Sequence, residues 1–172
     1  LSNTIAGFKL MGVFQEIQVG QPLLASQEDI EKTVNAILGS IPAEREASEA
    51  VVLMGHGTHH PANAFYSALA YQLQLRDANI MVGTVEGYPE LDTVQKQLVK
   101  NNIKTTYLMP FMSVAGDHAK NDMAGDEDDS WKSILSKAGY ECKPVLKGTA
   151  EYDSFAKIWV SHLGETLSHF EH

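Results

Sequence analysis

Cysteine is nearly absent from this chain, with Cys142 the one thiol in 172 residues. That excludes an internal disulfide, and it excludes a Cys-rich zinc site or an iron–sulfur cluster built from this chain alone. Long apolar runs are missing too. None reaches the roughly 18 residues that a membrane-spanning helix needs. Positive charge is scarce: 13 Lys and Arg stand against 22 Asp and Glu, for a formal net charge of −9 and a pI of about 5.1. A surface of that sign repels phosphates and argues against a general nucleic-acid binder. There is no Walker A pattern and no Gly-x-Gly-x-x-Gly, so nothing implies ATP or a dinucleotide. No nucleophile-elbow serine and no Cys–His pair suggests covalent catalysis. The chain begins at Leu1 without a leader of the usual form and is expected to be a fragment, a processed product or a trimmed form. A cytoplasmic setting is expected, with the periplasm as the alternative.

What is present is 44% hydrophobic content, enough for one compact domain with a real core, or for one domain plus an appendage. Ile17–Leu24 reads as a short strand. Ser26 followed by Glu28 and Asp29 reads as a helix start, with Ile30, Val34, Ile37, Leu38 and Ile41 keeping helical spacing towards Pro42. Three apolar runs then stand out as buried strands: 50–55, 80–85 and 103–112. Helical patterns separate them, one opening near Pro61 and carrying Phe65, Leu69, Tyr71, Leu73 and Leu75, the next carrying Leu91, Val94, Leu98 and Val99. A helix over 130–138, a strand over 141–146 and a last helix over 152–170 complete the order. In that last helix Phe155, Ile158, Trp159, Leu163 and Leu167 are expected on the buried face. Strands alternating with helices predict an α/β fold, a parallel sheet flanked by helices on both faces. Residues 1–42 are expected to form a connector of one strand and one helix, and residues 43–172 the α/β domain.

Gly55-His56-Gly57-Thr58-His59-His60 holds three of the seven histidines at the end of the first buried strand. Ligands bind at the carboxyl edge of open α/β sheets. The second strand ends at Glu86 and the third leads to His118. A shared topology can gather these at one edge, and two imidazoles with a carboxylate suit a first-row metal with a position left open. Each residue also has a structural reading: His56 as a helix cap, Glu86 as a surface turn residue, His118 as the neighbour of a cap. His59 and His60 are expected at a helix start or lining a cleft. His162, His169 and His172 are expected to be exposed, and the acidic run Asp126–Asp129 to be a solvated loop.

The stretches Met54–Asn63, Gly83–Pro89 and Pro110–Ala119, with Asn121–Gly125, resemble the anaerobic cobalt chelatases. Those are class II tetrapyrrole chelatases that insert cobalt into sirohydrochlorin. The resemblance runs from about Val19 onward, with the motifs in the family's order. It implies a chelatase-like half of flavodoxin- or Rossmann-like form, and a Co²⁺ site made by His56, Glu86 and His118 that works without ATP or another nucleotide. It also implies that His56 and His118 are catalytic, taking protons as the metal enters the ring. Gly55, Gly57 and Gly87 would let a flat ring approach, Tyr88 would line the cleft, Phe111 and Met112 would either line it or pack in the core, and Lys120 would meet a substrate carboxylate. Family members have two similar halves facing a cleft, so a missing N-terminal half or a second chain, as in a homo-oligomer, is expected to complete it. Two alternatives remain open: Fe²⁺ or Ni²⁺ as the metal, or a module that binds metal or tetrapyrrole without inserting either.

Overall fold

Four parallel strands organise this computed structural model, which describes residues 2–170. In chain order the elements are α1 (Ser2–Met11), α2 (Gln27–Leu38), β1 (Ala50–Gly57), α3 (Ala64–Arg76), β2 (Ile80–Glu86), α4 (Leu91–Lys100), β3 (Thr105–Phe111), α5 (Trp131–Lys137), β4 (Glu141–Pro144) and α6 (Asp153–Ser168). A 3₁₀ turn at Pro61–Asn63 leads into α3, and a π turn at Ala119–Met123 lies between β3 and α5. The sheet order is β2-β1-β3-β4. β1 is central and is buried along nearly its whole length, which is why its sequence is an unbroken apolar run rather than an alternating one.

Alternation along the strands defines two packed layers. Val51 and Leu53 of β1, Val82 of β2 and Met109 of β3 face α2, α3 and α6, where Ile37, Leu69, Leu73, Phe155 and Ile158 meet them. Val52 and Met54 of β1, Met81 of β2 and Leu108 of β3 face the other way, onto Val94 and Leu98 of α4, Leu135 of α5 and Met123 of the π turn. α2, expected within the connector, contributes Val34, Ala36 and Ile37 to the first of these layers. Ser26 caps α2 by accepting from the Asp29 N–H at 3.1 Å, and Ser130 caps α5 in the same way from Ser133 at 3.1 Å.

Several expectations are corrected here. Ile17–Leu24 is not a strand; residues 16–22 are irregular and Leu23–Leu24 form a turn. Pro22 offers no N–H, and Leu23 and Leu24 pack against the α2/α3/α6 layer instead of joining the sheet. Residues 2–11 form a helix that the sequence hides, since its first turn carries no acidic residue. On α6, Leu163 and Leu167 are more than half exposed, because the buried face runs through Phe155, Ile158 and His162. His162 is itself buried rather than exposed. His169 is exposed as expected, and His172 lies outside the described residues.

Candidate metal centre

His56 occupies the penultimate position of β1, on the same strand face as Val52 and Met54, but past the point where helices cover the sheet, so its ring is exposed. Its Nδ1 faces the Gly57 carbonyl at 3.0 Å. A carbonyl only accepts, so Nδ1 carries the proton and the Nε2 lone pair is free. Gly57 ends the strand at φ +78°, where a Cβ would stand 1.5 Å from the Glu86 carbonyl oxygen. Only glycine lets β1 and β2 finish so close together.

His118 lies beyond the end of β3, at the entry to the π turn rather than at the strand terminus itself. The turn is defined by the bond from Ala124 N–H to the Ala119 carbonyl at 3.2 Å, and it is anchored by buried Ala119 and Met123. Its approach loop is held down from another direction. Thr149 N–H donates to the Met112 carbonyl at 2.8 Å and Ala150 N–H to Ser113 at 3.0 Å. The His118 ring meets that of His56 with centroids 4.9 Å apart and planes at 86°. Two residues separated by a whole βαβαβ passage thus converge at the carboxyl edge. His118 Nδ1 is bonded to the Asp122 carboxylate, so here too the carboxylate accepts and Nε2 remains uncommitted.

Glu86 is brought to the edge but not into the imidazole pair. It is the register partner of Gly57, one position past His56. By alternation Val85 shares the His56 face, packing on the α4/α5 side, while the Glu86 side chain leaves from the opposite one. Among the described residues, no three His, Cys, Asp or Glu side chains converge closely enough to hold a metal ion.

Around this pair the turns are cross-linked. Asn63 accepts from the Thr58 N–H at 3.0 Å and donates to the Tyr88 carbonyl at 2.6 Å. His60 caps the 3₁₀ turn, its Nδ1 accepting from Ala62 N–H at 3.1 Å. The glycines expected to admit a flat ring give their space to protein: Tyr66 fills the position beside Gly55, the Glu86 carbonyl that beside Gly57, and Asn63 that beside Gly87. An open groove of about 520 Å³ lies on the α3/α6 side of the same edge, lined among others by Leu23, Leu24, Tyr66, Phe111, Met112 and Trp159. Phe111 and Met112 therefore do face a cavity, whereas Tyr88 is exposed elsewhere. Lys120 sits exposed on the π turn, two residues from His118. The acidic run is a surface feature in which Lys132 and Lys137 bond Asp126 and Asp128, each at 2.6 Å, holding both carboxyls below the usual range.

Three residues are absent from the sequence-based set. Asp122 follows His118 at the i,i+4 spacing that puts two side chains on one helical face, a signal open to reading. Asn63 left no such signal. Asp29 pairs with His162 at 2.8 Å from 133 residues away, a contact that no local pattern encodes.

The fold and this edge define a parallel α/β protein that presents paired imidazoles at a ligand-binding edge. The family described as Cobalt chelatase (CbiK) matches residues 4–168, and the chain belongs to that family. It is 46% identical over 155 residues to sirohydrochlorin cobaltochelatase CbiKC of Nitratidesulfovibrio vulgaris, covering 90% of this chain and 55% of that protein. It is 38% identical over 159 residues to the sirohydrochlorin cobaltochelatase of Salmonella typhimurium, covering 92% of this chain and 60% of that one. The chain therefore spans little more than half the length of these relatives. Among solved structures, SirB from Bacillus subtilis with Fe3+ superposes with a TM-score of 0.59 at 19% identity, covering 90% of this chain and 60% of SirB. The sirohydrochlorin chelatase SirB from Bacillus subtilis subspecies spizizenii, in complex with cobalt, gives 0.54 at 15% identity, covering 95% and 60%. At those identities the likeness is one of fold.

Proposed function

We propose that this chain forms the metal-bearing wall of a chelatase that inserts Co²⁺ into sirohydrochlorin without ATP. One observation carries the reading: His56 and His118 meet at the carboxyl edge, rings 4.9 Å apart, with both Nε2 atoms uncommitted among the described residues. Two imidazole nitrogens are a donor set for first-row divalent metals. Cobalt and sirohydrochlorin are taken from the names of the two relatives. The same donors accept Fe²⁺ and Ni²⁺, so ligand chemistry alone does not choose the metal.

Insertion exchanges two pyrrole N–H protons for the dication. His56 and His118 hold Co²⁺ through Nε2, and Glu86 turns in from its neighbouring register position to add a third donor and a negative charge. As ring nitrogens displace protein donors, each released imidazole accepts one of the two pyrrole protons and passes it to solvent; imidazole changes charge near neutral pH and is suited to the task. Lys120 meets a peripheral carboxylate of the substrate. The opposite wall of the cleft comes from a further half of the protein or from a second copy of this chain.

The test is the change in sirohydrochlorin absorbance on adding Co²⁺ to wild type, His56→Ala and His118→Ala. Both variants are expected to lose insertion, and undiminished rates in both overturn the reading. A second reading, a module that holds metal or tetrapyrrole without turnover, is favoured by Glu86 projecting away from the imidazole pair. Co²⁺ binding by calorimetry with no insertion supports it.

A further inference from the structure

We infer that Asp122 is the positioning residue for His118, fixing the ring so that Nε2 alone is offered to the metal. The inference rests on the proposed role of His118 as a metal donor and adds a residue to that site. Asp122 lies one turn on from His118, and its Oδ2 bonds the His118 Nδ1. The neighbouring pair is already committed: Asn121 Nδ2 donates to Asp117 Oδ1 at 2.7 Å, so Asp117 is engaged with Asn121. Among the described residues, Asp122 has no Lys or Arg partner, and its one ionic contact is to the imidazole.

The backbone explains why such a clamp is useful. His118 stands at the N-cap of a π turn, and its side chain is about 40% exposed. An exposed imidazole there samples several rotamers and both tautomers. A carboxylate accepting from Nδ1–H selects one of each, leaving the Nε2 lone pair free on the far side of the ring. His56 reaches the same state through a main-chain acceptor, the Gly57 carbonyl. The two metal-facing imidazoles are therefore oriented by different means, one by the strand end and one by Asp122. Partners that orient ligating histidines in this way typically contribute about 10- to 100-fold to metal affinity.

The experiment titrates Co²⁺ alone into the full chain, reading affinity by calorimetry and donor environment by the visible d–d spectrum. It uses wild type, Asp122→Ala, Asp122→Asn, His118→Ala and the double variant His118→Ala/Asp122→Ala. Asp122→Ala is expected to weaken binding about 10- to 100-fold. Asp122→Asn keeps an acceptor oxygen and is expected to recover most of that loss with a near-native spectrum; being isosteric, it also stands if Asp122→Ala disturbs the turn. The double variant is expected to match His118→Ala, because Asp122 has nothing left to orient. Wild-type affinity in Asp122→Ala overturns the inference. So does a full additional loss in the double variant, which would make Asp122 a ligand in its own right, or an Asn variant as weak as the Ala variant. Wild-type affinity in His118→Ala removes the metal-donor role itself, and that outcome is read from a different protein sample.

Discussion

Asn63 donates from Nδ2 to the Tyr88 carbonyl at 2.6 Å while its Oδ1 accepts from the Thr58 N–H at 3.0 Å, so one side chain ties the turn after β1 to the turn after β2. Those turns directly follow the strand ends that carry His56 and Glu86. Asn63→Ala removes both bonds and is expected to cost about 1 kcal/mol of stability, since neither bond is fully buried. The larger effect is expected in Co²⁺ affinity, as the two turns drift apart. Asn63→Asp keeps the acceptor for Thr58 but not the donor to Tyr88 and should fall between. Calorimetry and thermal melts on the same samples check this. A lowered melting point with unchanged Co²⁺ affinity would confine Asn63 to stability.

Gly57 and Gly164 make a matched pair of tests. At Gly57, φ is +78° and a Cβ would overlap the Glu86 carbonyl at 1.5 Å, an obstacle that is backbone and cannot rotate away. Gly57→Ala is expected to destabilise by more than about 2 kcal/mol and to abolish Co²⁺ binding. Gly164 sits inside α6 with nothing within 4 Å of its Cβ position. Gly164→Ala is expected to raise stability by about 0.5–1 kcal/mol, because alanine restricts the unfolded chain and favours the helix. Denaturant unfolding of the two variants should move in opposite directions.

Gly148 controls the approach to His118. A Cβ there would meet the Ser113 carbonyl oxygen at 2.5 Å, the Val114 Cα at 2.6 Å and the Ala115 nitrogen at 2.8 Å. Gly148→Ala must push aside the loop that leads into the π turn, breaking the clamp from Thr149 and Ala150. The expected outcome is weaker Co²⁺ binding with a modest loss of stability. Native affinity would show that the loop position does not set the imidazole pair.

The central strands are legible in sequence because β1, β2 and β3 are buried on both faces and read as continuous apolar runs. The common edge follows from their parallel order, which is why the meeting of His56 and His118 could be anticipated. The side on which Glu86 projects could not. Parity depends on register, and register is set by the buried pattern along the whole β1–β2 ladder rather than by the type of residue at 86. α1 was hidden for a different reason: its apolar residues Phe8, Leu10 and Met11 are exposed, so they follow no core-facing period. Ile17–Leu24 shows the converse, a β-like composition whose Leu23 and Leu24 pack against helices rather than pairing with a strand. His162 looked like a surface histidine because the partner that makes its burial tolerable lies on α2.

That partnership contributes to the acid stability. Asp29 and His162 are each about 5% exposed, bonded at 2.8 Å, and Ser26 Oγ donates to the other Asp29 oxygen at 2.9 Å. Burial pulls the Asp29 carboxyl upward, but the hydrogen bonds from His162 and Ser26 outweigh it and hold the group below its ordinary value. A depressed carboxylate favours the fold wherever it is ionised. Its contribution is complete above the unfolded value, near pH 4, and is lost as pH falls through the lower folded value. Asp29→Asn leaves His162 without its charged partner and is expected to cost about 3 kcal/mol at neutral pH. The variant should also show a shallower fall in melting temperature below about pH 4 than wild type, because one carboxylate no longer takes up a proton on unfolding. Melting curves from pH 7 to pH 2.5 on both proteins make the comparison. Parallel acid limbs would show that Asp29 does not carry the linkage, and an unchanged neutral melting point would show that the pair does not hold α2 to α6.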